Sequence, residues 1–332
     1  PGVVLMPSQK LLTLLLLCAL CAPARAVILY STATRNTSAP TGAYANSGWQ
    51  YQGQFASFLG TAISKKFVIT AGHVGDGTGF VYNYQGGRYR LQKMWDDPES
   101  DLRIYKVGGI MPTWARFFEG TGEVSRSVAV FGRGTQRGDE VRVNGALKGW
   151  KWGNNDGVQS WGRNTISGIA DGGDGKGLLL AFNFDQQGNT YEAGLTKGDS
   201  GGGLFIKQGT IWRLAGINYS VDGSWSLTQN GQAFDANLFD KGGLWQVGGG
   251  FVNDTLNNQP AAAYATRINA HLGWISDVLN ERIAPDRDIT ARTSAFVTGF
   301  GIELPEPGAA TLLASVAGLM LRRSRPPERR AC

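Results

Sequence analysis

Cysteine is almost missing from this chain. Of 332 residues three are Cys: Cys18, Cys21 and Cys332, so residues 22–331 contain none. That excludes a disulfide framework, a cysteine-ligated zinc site and thiol catalysis from the body of the chain. A core of ~240 residues is large enough to do without such staples. Histidine is scarcer still, with His73 and His271 only, so any imidazole chemistry has two candidates. Basic runs and zinc-finger spacings are absent too, which removes the usual marks of nucleic-acid binding. The net charge of +6 is no such mark either. Two of the 32 basic residues precede residue 27 and five follow residue 304, as do two of the 26 acidic ones, leaving net +1 between. No apolar run reaches the ~20 residues of a permanent membrane span.

Glycine is plentiful, 48 residues scattered among short apolar runs. That is the composition of turns in an all-β protein rather than of a linker. Neither a repeat nor a break in composition divides the middle of the chain. Candidate strands are Ser57–Ile63, Phe67–Thr70, Leu102–Val107, Ser127–Phe131, Leu178–Phe184, Gly203–Ile206 and Trp212–Asn218.

One segment, Lys197-Gly198-Asp199-Ser200-Gly201-Gly202-Gly203-Leu204-Phe205, sets a serine in a glycine-lined turn running into an apolar strand. Glycines allow the turned backbone that aims N–H groups at one spot, which an acyl-transfer oxyanion needs. A serine nucleophile then requires a base and a carboxylate to orient it. His73 ends the apolar run Phe67-Val68-Ile69-Thr70-Ala71-Gly72 and is the candidate base. His271, in an amphipathic terminal helix, reads as a surface or packing residue. Asp101 heads the alternating segment Leu102-Arg103-Ile104-Tyr105-Lys106-Val107, a half-buried strand by its period. Its rivals Asp96 and Asp97 precede Pro98 in what reads as a solvated loop.

Thr70-Ala71-Gly72-His73, Asp101-Leu102-Arg103-Ile104 and Gly198-Asp199-Ser200-Gly201-Gly202 together resemble the signature segments of trypsin-like (chymotrypsin-fold) serine proteases. They come in that family's order, His, Asp, Ser. Phe131-Gly132-Arg133-Gly134, Leu214–Ser220 and Tyr264–Ile275 are similar to further segments, so the resemblance spans roughly residues 45–282. It implies two packed six-stranded antiparallel β-barrels with a C-terminal helix and the site in the cleft between them. It also implies hydrolysis of protein or peptide substrates, with Ser200 as nucleophile, His73 as base and Asp101 as orienter. The Gly198 and Ser200 N–H groups would form the oxyanion hole, and no cofactor or metal is involved. Activity is expected to fall as acid protonates His73.

For specificity the resemblance points to Gly194 and Leu195 at the pocket floor and to Tyr219, Ser220 and Val221 on one wall. Ala262, Ala263 and Tyr264 stand near the other. With no Asp at position 194, a small or medium apolar substrate residue is expected over a basic one. Two readings stand for Val27: a freed amine inserted beside Asp199, as the family's activation implies, or the start of a disordered or edge segment.

Residues 1–26 have a basic start, the short apolar run Leu11–Leu20 and the small-residue site Ala24-Arg25-Ala26, the pattern of a secretory signal peptide. Met6 is a candidate start. The domain expected is 27–283, followed by a tether over 284–304. Residues 305–332 open with Pro305-Glu306-Pro307, continue with an apolar stretch to Leu321 and end in an arginine cluster. They resemble the PEP-CTERM sorting signal. That implies a Gram-negative bacterium, an exosortase-type processing partner, only transient membrane contact, and a product that is secreted, on the cell surface or in the extracellular matrix.

Trp150, Trp152 and Trp161 bracket Gly153–Gly157 and suggest a hairpin with cross-strand aromatics, or a stacking platform. Asp171-Gly172-Gly173-Asp174-Gly175 reads as a plain turn rather than a calcium loop. Gly132-Arg133-Gly134 lacks the Lys-Ser/Thr of a phosphate loop. Besides the endopeptidase reading, a catalytically idle cell-surface or matrix binding protein on the same fold, and an esterase with the same triad, remain open.

Overall fold

The structure, a computed structural model, describes residues 27–290 apart from 78, 80, 256 and 257. The expected signal peptide and sorting tail therefore lie outside the described residues.

Twelve strands make two closed antiparallel barrels. The first contains β1 (Gln52–Phe55), β2 (Phe58–Ala62), β3 (Phe67–Ala71), β4 (Val81–Tyr84), β5 (Gly87–Asp96) and β6 (Leu102–Val107). The second contains β7 (Ser127–Gly132), β8 (Ser160–Asp171), β9 (Leu178–Asn183), β10 (Gly203–Gln208), β11 (Ile211–Val221) and β12 (Ala262–Arg267). Within each barrel the strands neighbour one another in the same cyclic order: first, second, third, sixth, fifth, fourth. The repeat missing from the sequence is thus present in the topology. The closing pairs are β5 with β6 and β7 with β8. Closure removes the free sheet edges.

Short apolar runs, some buried on both faces, explain why these segments are strands. In β6, Leu102, Ile104, Tyr105 and Val107 are buried while Arg103 and Lys106 reach outward. The core of the first barrel continues through Phe131, Phe205, Trp212 and Ile217 of the second and Ile275 and Val278 of the helix α1 (Leu272–Leu279). Val128, Val130, Leu180, Phe182, Leu204 and Ile206 fill the interior of the second barrel.

Three features depart from the sequence reading. Residues 284–290 do not begin a tether: Arg287–Asp288 pairs with β5, and Ile289 is buried. The three tryptophans do not share a hairpin. Strands Thr135–Val143 and Ala146–Asn155 turn at Asn144-Gly145, putting Trp150 against Tyr30, Phe184 and Phe239, while Trp161 on β8 meets Tyr44 and Tyr191. Finally, Val27 begins no disordered segment. It is buried, and the following Ile28–Leu29 pairs with Ala193–Gly194.

Candidate functional site

His73, Asp101 and Ser200 each stand at a strand end. β3 runs out at Ala71 into a short 3-10 turn, Gly72–Val74, which carries His73. Gly72 N–H donates to the Asp101 carbonyl at 2.6 Å, tying that turn to the head of β6. The Asp101 carboxylate accepts twice from His73: from its backbone N–H at 3.2 Å, and at Nδ1 across 2.6 Å. Since Asp101 is buried and a carboxylate only accepts, Nδ1 carries the proton and Nε2 is the free lone pair. Ser200 Oγ lies 2.8 Å from that Nε2. Arg103 steadies the loop after His73, gripping the Asp96 carboxylate and the Gly75 carbonyl together.

The turn bearing Ser200 is shaped by Asp199, which is buried beneath it. One carboxylate oxygen accepts from Gly134 N–H at 2.7 Å, and the other from Thr196 N–H at 2.7 Å and Thr196 Oγ at 3.0 Å. A Cβ on Gly132 would overlap Asp199 Oδ1, and one on Gly134 would overlap Thr196 Oγ1, so both glycines are needed for the carboxylate to seat. Burial pushes the Asp199 carboxyl up to about 6, with the Thr196 and Gly134 donors opposing it. The inserted amine considered for Val27 is not what meets this carboxylate: Gly134 and Thr196 do, and the Val27 side chain packs in the second barrel's core.

Gly198 and Gly201 have φ of +99° and +79°, conformations that favour glycine. The neighbouring N–H groups of Asp199, Gly201 and Gly202 donate to Thr196, Asn218 and Asp199 carbonyls. Among the described residues no backbone carbonyl accepts from Gly198 or Ser200.

A cavity of about 310 Å³ opens beside Ser200. Leu195, Tyr219, Ser220 and Val221 line it as expected, and Tyr219 also sets its ring edge-on to His73, centroids 5.7 Å apart. Gly194 does not line it. That residue is paired with Ile28 and borders a separate void of about 10 Å³ behind Leu195 and Val221, together with Ala262 and Ala263. Tyr264 is spent on a hydrogen bond to Asp222. Trp152, Thr196, Lys197 and Asn218 complete the cavity and were missed from the sequence. Trp152 arrives from the outer hairpin, its Nε1–H donating to Asn237 Oδ1 at 2.6 Å, a placement no local spacing announces.

Asp97 also differs from its sequence reading, while His271 is the packing residue of its two readings. The loop of Asp97 is not solvated: Asp97 Oδ2 lies 2.6 Å from His271 Nδ1, with both side chains buried, and accepts from Ser100 Oγ at 2.6 Å. Asp171 ends β8, its Oδ1 accepting from the N–H of Gly173 in the turn that follows.

Chemically, the arrangement can draw a proton from a hydroxyl to an imidazole held in one tautomer, beside a mostly apolar pocket. No protein-family model and no curated protein sequence matches the chain. Solved structures similar to it include Rv3671c from M. tuberculosis H37Rv, as a serine-to-alanine mutant in its inactive form. That structure is 13% identical, covers 76% of this chain and 100% of its own, and has a TM-score of 0.43. Neuropsin, a serine protease expressed in the limbic system of mouse brain, is 13% identical over 70% of this chain and 96% of its own, with a TM-score of 0.45.

Proposed function

We propose that the chain is a serine endopeptidase working through an acyl-enzyme. The observation that carries this is the continuous line Ser200 Oγ, His73 Nε2, His73 Nδ1, Asp101 Oδ2, with separations of 2.8 and 2.6 Å at its two hydrogen bonds. Ser200 Oγ attacks the carbonyl carbon of the scissile bond and its proton passes to His73 Nε2. Asp101 holds the tautomer and stabilises the imidazolium that forms. The Gly198 and Ser200 N–H groups receive the oxyanion, each such donor being worth ~3 kcal/mol in the transition state. Collapse expels the amine, which takes the proton from Nε2. Water, deprotonated by the same nitrogen, then attacks the ester and frees the acid and Ser200.

Exit from the cytoplasm belongs to this reading. The signal-like residues 1–26 and the tail over 305–332 support export, sorting by an exosortase-type partner and work at or beyond the cell surface. The test is hydrolysis of an unstructured protein such as casein by the purified full chain and by Ser200→Ala. New amino termini with the first and none with the second are expected. Equal turnover by both would overturn the reading, and cleavage of small activated esters without peptides would make the chain an esterase.

A further inference from the structure

The turn 97–101 joins β5 to β6 and ends in Asp101. The hydrolytic mechanism uses the last residue of this turn and not the first. Yet Asp97 is the residue that closes it. Its N–H donates to the Leu102 carbonyl at 2.9 Å, and its carboxylate accepts from Glu99 N–H at 3.2 Å and from Ser100 Oγ at 2.6 Å. Ser100 Oγ accepts in turn from Leu102 N–H at 3.2 Å. Asp101 sits between Ser100 and Leu102, the two residues bound in this way. Where its carboxylate stands against His73 Nδ1 therefore depends on how Asp97 is held.

What holds Asp97 from outside the turn is His271, whose Nδ1 lies 2.6 Å from Asp97 Oδ2 with both side chains buried. A carboxylate only accepts, so Nδ1 carries the proton and donates. His271 ends the short 3-10 turn Ile268–His271, between β12 and α1, in which Ile268 is buried in the core. The donor thus comes from a part of the chain fixed by packing. Gly177, in the turn between β8 and β9, closes over the pair. A Cβ there would lie 2.9 Å from the Glu99 carbonyl oxygen and 3.0 Å from His271 Nε2.

We propose that His271 is a positioning residue for the triad: through Asp97 it fixes the turn that aims the Asp101 carboxylate at His73. It touches neither substrate nor reacting atoms. This rests on the hydrolase reading above and adds a part to its machinery. A packing role alone would need only the volume of the imidazole, whereas positioning needs its donor.

Two variants of the full chain separate these roles. His271→Leu keeps much of the volume and removes the donor, while His271→Asn gives up volume and keeps a donor for Asp97. Peptide hydrolysis is measured at a temperature where circular dichroism shows both folded, alongside fluorophosphonate labelling of the parent. In His271→Leu kcat should fall by about 10²-fold, the cost of a ~1 Å displacement at reacting groups. KM should be unchanged, because Asp101 acts in the transition state and not on bound substrate. His271→Asn should recover most of the lost kcat although it packs less well. Ser100→Ala leaves the His271–Asp97 pair in place and cuts the links of Ser100 to Asp97 and Leu102, so it should lower kcat in the same manner. It carries the test where the substitutions at 271 do not fold. Parental kcat in folded His271→Leu, no recovery in His271→Asn, or, where neither folds, parental kcat in Ser100→Ala overturns the positioning role. The hydrolase still stands in those cases if the parent labels at Ser200 and cleaves. A parent that does neither overturns the two together.

Discussion

His271 Nδ1 lies 2.6 Å from Asp97 Oδ2, repeating in buried form the His73–Asp101 pair found four residues further along the same loop. The pair links the entry to α1 with the turn that delivers Asp101. Asp97 also accepts from Glu99 N–H, and Ser100 Oγ, donating to Asp97, accepts from Leu102 N–H. Burial pushes the Asp97 carboxyl up, but the His271, Ser100 and Glu99 hydrogen bonds outweigh it and hold the group below its ordinary value. A depressed carboxylate stabilises the fold above its unfolded value of ~3.9, and that contribution is lost as pH falls through the folded one. Removing one partner of a buried pair costs ~3 kcal/mol. His271→Ala should therefore lower the thermal midpoint at neutral pH by roughly 6–12 °C for a domain of this size. An unchanged midpoint in calorimetry would contradict the pairing.

The glycines over Asp199 give a second expectation. Gly132→Ala places a methyl group on Asp199 Oδ1. The carboxylate must move, and the Gly198–Ser200 turn with it. A displacement of ~1 Å at reacting groups costs about 10²-fold in rate. Probe labelling of Gly132→Ala should slow by that order while the far-ultraviolet circular dichroism stays that of the parent. Labelling at the parental rate would show that the turn does not depend on this seat.

Glu192 supplies a pH test remote from the site. Burial pushes this carboxyl up to about 8, with the Asp185 N–H opposing it. The folded chain thus keeps a proton that the unfolded chain gives up from ~4.5 onward. Stability must fall as pH rises through that window, up to about 8, and level off above it. Glu192→Gln removes the titration, so the difference in midpoint between variant and parent should grow in the variant's favour from acid to mildly alkaline pH. A constant difference would show that Glu192 is ionised throughout.

Because Gly134 and Thr196 already serve the Asp199 carboxylate, a free Val27 amine is not required to order the turn. Chains starting at Val27 and chains retaining residues 1–26 should label equally fast. Labelling only after cleavage before Val27 would restore the inserted-amine reading.

How far the sequence reached follows from how local each signal is. β3 ending in Thr70-Ala71-Gly72-His73, β6 headed by Asp101 and the glycine turn around Ser200 are each written in a few consecutive residues. Tyr219, Ser220 and Val221 likewise follow one another at the end of β11. What escaped is non-local. Asp97 was read as solvated because its partner His271 is 174 positions away and only the closed fold brings them together. Gly194 was displaced from the pocket by the pairing of its segment with Ile28–Leu29. Asn218 looked like one more residue of an apolar strand. Its amide is turned by the distant Phe131 carbonyl and by that of Asp199. The outer hairpin that brings Trp152 to the cavity has the same alternation as any strand, so nothing in its own residues tells where it packs.

The most direct measurement is the fate of Ser200 under a fluorophosphonate probe, mapped by peptide mass in the parent chain, in Ser200→Ala and in His73→Ala. Modification confined to the Ser200 peptide of the parent, absent from Ser200→Ala and greatly slowed in His73→Ala, is what the account predicts. A folded parent that takes up no label, or one labelled at another residue and unaffected by loss of His73, would contradict it.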